Sequence, residues 1–142
     1  MHTWQNLLTQ GNDCFNADQW QEAEGYYQQA IDLLDSQLHQ NPKSQEAIQA
    51  WICSYHNLAT LFQRTGELQK AQKCLLIPHQ SMRYLADSEH ADDELQVLAL
   101  QALKVTVIPL LEFAQKHPVC DSCFDALMNQ YRQAFYQTQT LH

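Results

Sequence analysis

Glycine and proline are scarce in this sequence, with three and four residues among 142. Collagen-like and low-complexity disordered chains need far more of both, so the composition excludes those classes. Hydrophobic residues make up 45% of the chain, and a chain of this length can bury a core without metal or disulfide crosslinks. The composition therefore predicts one globular domain over residues 1–142.

Basic residues are also few. Eight Lys and Arg stand against sixteen Asp and Glu, which gives a net charge of −8. Binding to nucleic acid needs clusters of Lys and Arg, and here they are spread thinly, so we expect no nucleic-acid partner. An acidic surface favours solubility or a basic protein partner.

Long hydrophobic runs and export signals are missing as well. The longest apolar stretch, VTVIPLL at 105–111, is far too short to cross a bilayer. The first ten residues lack the basic start and apolar run of a signal peptide. The five cysteines are an odd number with no dense framework, which is typical of reduced thiols in the cytoplasm. We therefore expect a cytoplasmic protein with no membrane association.

Helical periodicity runs almost from end to end. Apolar residues recur at intervals of three and four, as in the run from Ile48 to Phe62. The β-like stretch KVTVIPL lies inside a longer helical pattern and is predicted to be helix, whereas Pro78 is expected to kink or split its helix. Short polar links between long helices favour antiparallel neighbours in an all-α fold. The six predicted helices span residues 3–16, 18–40, 43–64, 66–86, 91–116 and 118–139.

One pattern of small and large residues occurs twice in the chain. In each copy, intervals of 12, four and three residues separate its members, and the small residues would let two helices of a hairpin approach closely. One hairpin cannot bury its apolar face alone, so such units are stacked. The first copy is Gly11, Ala23, Tyr27 and Ala30, and the second is Ala59, Ala71, Leu75 and Pro78.

The second copy resembles the tetratricopeptide-repeat (TPR) signature W-x2-L-G-x2-Y…A. The residues that carry this resemblance are Tyr55, Leu58, Ala59, Phe62 and Ala71. Because Ala23 and Ala71 lie 48 residues apart rather than about 34, the chain looks like a TPR variant with lengthened helices, and its size and acidity look like those of small bacterial TPR proteins. The resemblance implies three stacked antiparallel hairpins in a right-handed superhelix, with repeat-like units over about 3–40, 43–86 and 91–139.

The same resemblance implies a protein–protein interaction module that binds a peptide or helical segment of a partner in a concave groove. Asn12 and Asn57 match two members of the carboxylate-binding clamp of some TPR domains, whereas Leu8 stands where that clamp has a base. A second reading is a secretion-type chaperone that shields a hydrophobic segment of its client. None of the polar groove residues is expected to be needed for the core. The predicted groove residues are Leu8, Asn12, His56, Asn57, Thr60, Arg64 and Lys104.

The stretch HPVCDSC at 117–123 is the one segment that suggests chemistry. Cys120 and Cys123 form a C-x-x-C motif, and His117 precedes them by three residues. A thioredoxin-like role needs a strand–helix–strand context, and a zinc site needs a fourth ligand, and the sequence offers neither. A redox-sensitive pair and a metal site stay open as alternatives to unreactive helix cysteines.

Cys53 and His56 also lie on one helical face, as a nucleophile and its base would. No Gly-rich elbow, carboxylate partner or oxyanion loop accompanies them. We therefore expect His56 to contact a ligand in the groove or to pack in the core. The sequence predicts no enzyme, no cofactor and no metal.

Overall fold

The structure is a computed structural model that describes residues 3–117. All regular structure in that range is helical and no strand occurs in it, which confirms the all-α prediction. The described residues hold five helices rather than the predicted six, because the segment 118–139 lies outside them. Each helix end lies within two residues of its predicted position. The helices are α1 (Trp4–Asn16), α2 (Trp20–Gln40), α3 (Gln45–Arg64), α4 (Leu68–Asp87) and α5 (Asp93–Lys116).

Polar residues set the start of three helices. The side chains of Thr3, Ser44 and Asp92 each accept a hydrogen bond from the backbone N–H three residues later, at 3.2, 3.2 and 2.9 Å. These N-caps satisfy donors that a helix cannot pair internally. Past the end of α3, Gly66 adopts a φ of 80°, a left-handed conformation that glycine takes without steric cost.

The chain divides into two compact units, the first ending at Cys74 and the second beginning at Leu75. In the first unit α1 packs against α2, and α2 packs against α3. Ala23, Ala30 and Leu34 of α2 have no exposed surface. Because short links reverse the chain direction twice, α1 and α3 run in the same direction, and each packs against α2.

Small residues mark the close contacts of the first unit. A Cβ atom on Gly11 would lie 2.6 Å from Cε1 and 2.8 Å from Cδ1 of Tyr27, so α1 and α2 approach too closely here for any side chain. Ala59 and Ala71, the small residues of the second copy, are 1% and 0% exposed. The positions that the sequence pattern singled out for close packing are therefore buried.

The second unit contains a buried polar pair. Nδ1 of His79 lies 3.0 Å from Oγ1 of Thr106, and that hydroxyl donates to the carbonyl oxygen of Leu103 at 3.1 Å. Since a hydroxyl has one proton, Nδ1 of His79 must be the donor to Thr106. The neighbouring Pro78 lies inside α4, which continues to Asp87, so Pro78 does not split this helix, and the alternative of a kink stays a prediction.

Helix α5 includes the β-like stretch KVTVIPL, whose helical prediction is confirmed. Among the described residues, α5 is the one helix long and apolar enough to cross a membrane by length and composition, a test that the core helix of a soluble protein also passes. Val107 and Leu110 are buried, whereas Val105 and Ile108 are 54% and 47% exposed. The expectation of no membrane association stays a prediction.

Candidate functional site

Helices α1 and α3 lie side by side in the first unit. Residues at the start of both helices, including Trp4 and Glu46, line one pocket of about 370 Å³. Near their other ends, the guanidinium of Arg64 lies over the ring of Phe15, 5.6 Å from its centre. We define the α1/α3 surface as the predicted groove residues of this unit together with Thr9, all of them exposed or half-buried. Its members are Leu8, Thr9, Asn12, His56, Asn57, Thr60 and Arg64.

Asn12 has a partner inside the unit. The hydroxyl of Tyr27 donates to Oδ1 of Asn12 over 2.6 Å, although Tyr27 is only 2% exposed and Asn12 is exposed. Burial, with smaller contributions from the ionised thiols of Cys53 and Cys14, raises the pKa of Tyr27 to about 12. Asn12 therefore provides the hydrogen-bond acceptor for the buried Tyr27 hydroxyl. This corrects the expectation that Asn12 is not needed for the core.

His56 is half-buried and turns one ring nitrogen away from solvent. Nε2 is buried and has no hydrogen-bond partner within residues 3–117. Burial lowers the pKa of His56 below its usual 6.5, so the ring is neutral at pH 7. A ligand on this surface would meet the outer part of a neutral ring rather than Nε2.

The end of the α1/α3 surface carries a cation held over an aromatic pair. Arg64 is exposed above Phe15, and Phe15 packs edge-to-face against Trp20 with ring centres 5.3 Å apart. The attraction between a guanidinium and a ring face restricts where the Arg64 side chain can lie. Arg64 is the one Lys or Arg of α1 and α3, so positive charge on this surface is confined to one end.

Amide and hydroxyl groups alternate along the middle of the α1/α3 surface. Thr9 and Asn12 are three residues apart on α1, and Asn57 and Thr60 are three apart on α3, so each pair shares a helical face. The interval from Asn12 to Thr60 is 48 residues, the same as between the two copies of the repeated pattern. Corresponding positions of the two helices therefore hold one amide and one hydroxyl. The sequence prediction missed Thr9 and Tyr27, although the repeat interval from Asn57 points to Thr9.

The remaining predicted site residues lie elsewhere in the chain. Lys104 is half-buried on α5 in the second unit, and its role in a groove stays a prediction. Cys120 and Cys123 lie outside the described residues. Within residues 3–117, no group of three or more His, Cys, Asp or Glu side chains could hold a metal ion.

Two of the described thiols, Cys53 and Cys74, have little nucleophilic character. Cys14, Cys53 and Cys74 are free cysteines. Burial raises the pKa of the Cys53 thiol, and it raises that of Cys74 to about 11 with a smaller contribution from the charge of Glu24. Thiols with raised pKa values stay protonated at neutral pH, so the Cys53–His56 pair lacks the thiolate that a nucleophile needs.

Comparison with known proteins places this chain in a family. A family model described as "Protein of unknown function (DUF2753)" matches residues 2–141. The chain belongs to the DUF2753 family. No curated protein and no solved structure matches the sequence.

Proposed function

We propose that this DUF2753 protein is a TPR-like interaction module that binds an extended or helical segment of a partner protein on the α1/α3 surface, and that it catalyses no reaction. The observation that carries the proposal is the α1/α3 surface itself. Two parallel helices present polar side chains to solvent at equivalent positions of the repeated pattern. The small residues of the same pattern are buried between helices. Surfaces of this kind suit peptides laid across helices.

The chemistry of the surface also supports binding over catalysis. Asn57 and Thr60 offer hydrogen-bonding groups to a ligand, and Arg64 can form a forked pair with a carboxylate. The raised pKa values of Cys53 and Cys74 keep these thiols protonated at neutral pH, and His56 has one nitrogen buried. A surface rich in amides and poor in charge matches a peptide better than a phosphate-bearing ligand.

The test is a comparison of partner capture by three forms of the full chain. The purified wild type is used to pull partners from an extract of its source cell. The variant Asn57→Ala/Thr60→Val/Arg64→Ala removes three polar groups of the α1/α3 surface and spares Asn12, which has a structural role. The matched control, Gln28→Ala/Gln29→Ala/Asp32→Ala, removes three exposed polar side chains from α2.

We expect the surface variant to lose a partner that the wild type and the α2 control both retain. Each lost polar contact at a buried interface typically costs about 1–3 kcal/mol of binding free energy, so the loss of three contacts should abolish capture of the partner. Thermal unfolding of the three proteins should differ little, because surface substitutions usually change stability by less than about 0.5 kcal/mol each. Equal capture by all three forms would show that the α1/α3 surface is not the binding surface.

A further inference from the structure

The hydrogen bond between Tyr27 and Asn12 fixes which way the Asn12 amide points. The phenol is almost completely buried, and its hydroxyl donates to Oδ1 of Asn12 at 2.6 Å. The exposed Asn12 side chain therefore has its oxygen engaged, and its two Nδ2 protons are left for a ligand. The reverse orientation would place Nδ2 against the phenol and would leave the buried O–H without an acceptor, which is unfavourable.

Thr60, the equivalent of Asn12 on α3, offers a ligand a hydrogen-bond acceptor rather than a donor. Its hydroxyl donates to the carbonyl oxygen of His56 at 3.1 Å, so its single proton is used within the helix. The lone pairs of its Oγ1 are the groups that an incoming ligand would meet. The α1/α3 surface thus offers a donor at Asn12 and an acceptor at Thr60.

We propose that Tyr27 is a positioning residue, and that it holds Asn12 as a donor to a main-chain carbonyl oxygen of the bound segment while Thr60 accepts a main-chain N–H. A peptide backbone carries neutral acceptors and donors side by side. α1 contains no Lys or Arg, and the guanidinium of Arg64 is held over Phe15 at the end of the surface, so Asn12 itself offers a neutral donor that suits a carbonyl oxygen. This inference rests on the proposed function, since it specifies which groups of the ligand hydrogen-bond to the proposed surface.

The test uses peptides as the probe. A phage-displayed library of random 12-residue peptides is selected on the full wild-type chain. Clones that lose binding to the surface variant Asn57→Ala/Thr60→Val/Arg64→Ala are kept. One such peptide is synthesised with a free and with an amidated C-terminus, and its Kd is measured by fluorescence anisotropy. The chains compared are wild type, Asn12→Asp, Asn12→Ala, Tyr27→Phe and Tyr27→Phe/Asn12→Ala.

Asn12→Asp is the most informative variant, because its carboxylate still accepts the Tyr27 hydroxyl but has no proton to donate. We expect it to weaken peptide binding about tenfold or more while the protein stays folded by circular dichroism. Tyr27→Phe frees the Asn12 amide to rotate and should weaken binding roughly threefold to tenfold. The double variant should bind no worse than Asn12→Ala, because Tyr27 acts only through Asn12.

Several outcomes separate this inference from the proposed function. An Asn12→Asp chain that binds within about twofold of wild type would overturn the donor role. Additive losses in the double variant would show that Tyr27 acts through the fold rather than through Asn12. Loss of binding on amidation that occurs in the wild type but not in Asn12→Ala would assign the acceptor at Asn12 to a terminal carboxylate and would also overturn the inference. A library with no clone sensitive to the surface variant would contradict the proposed function itself.

Discussion

Gly11 and Gly25 are both helical glycines, but their surroundings are opposite. A Cβ on Gly11 would meet the Tyr27 ring at 2.6 Å, whereas nothing lies within 4 Å of a Cβ on Gly25. Gly11→Ala should lower the free energy of unfolding by about 1–2 kcal/mol, because overpacking outweighs the gain in helix propensity. Gly25→Ala is the matched control and should raise it by about 0.5–1 kcal/mol. Urea unfolding measures both, and a stabilised Gly11→Ala protein would contradict the close contact.

His56 makes stability depend on pH in a definite direction. Burial lowers its pKa in the folded protein below the 6.5 of an unperturbed histidine, so between the two values the unfolded chain binds more protons. The contribution of His56 to the free energy of unfolding should therefore fall as the pH drops through 6.5, and it should level off below the folded-state pKa. His56→Gln should flatten this part of the curve of urea midpoint against pH, and the exposed His39→Gln should not. If the urea midpoint of His56→Gln changes with pH as steeply as that of the wild type, the burial of the His56 ring is refuted.

At the scale of the element, the start of α5 depends on one side chain. Asp92 accepts a hydrogen bond from the N–H of Leu95 at 2.9 Å. Asp92→Ala should therefore cost about 0.5–2 kcal/mol, measured by thermal unfolding and by faster hydrogen exchange of the Leu95 amide. Asp92→Ser, which can form the same cap, should retain most of that stability. Equal losses in both variants would assign the effect of Asp92 to its charge near the helix N-terminus rather than to capping.

Helix positions could be predicted because their signals are local. Breaks that contain Ser44 and Asp92, and the turn around Gly66, mark ends that the structure places within two residues of the predictions. The hydrogen bond from Tyr27 to Asn12 could not be predicted in this way, because it joins two helices. Such bonds depend on how each helix is rotated about its axis, which tertiary packing decides. Of the candidate site, the sequence therefore indicated the exposed and half-buried residues other than Thr9, but it missed the buried hydroxyl of Tyr27 beneath them.

At the scale of the whole molecule, acidic charge is unevenly distributed over the first unit. The one Lys or Arg on α1 and α3 is Arg64, and α2 carries no Lys or Arg. A partner that binds the α1/α3 surface through neutral groups should lose little affinity when salt rises from about 50 to 300 mM, because few charges are screened. A basic partner on α2 should lose affinity steeply under the same change. A Kd measured across this salt range would distinguish the two surfaces, and a steep loss would contradict binding on α1/α3. The acids of α2 are Glu22, Glu24, Asp32 and Asp35.

The cysteines allow a last prediction about the full chain. Zinc in a structural site takes four ligands, and the segment HPVCDSC supplies at most three, from His117, Cys120 and Cys123. A fourth would have to come from another part of the chain, and the described thiols Cys53 and Cys74 have raised pKa values that oppose the thiolate form a metal needs. We therefore expect the full chain to carry no stoichiometric metal.

Elemental analysis of the full chain, purified without chelators, should find well under one zinc per molecule. Titration of the unfolded protein with a thiol reagent should count all five cysteines as free. Cys120→Ser/Cys123→Ser should unfold at the same temperature as the parent and should capture the same partner, because the proposed binding surface includes neither thiol. One zinc per chain that disappears in this double variant, or partner binding that mild oxidation switches off in the parent alone, would assign the function to the thiols instead. Comparison of the parent with this double variant thus distinguishes a peptide-binding surface from a redox or metal site.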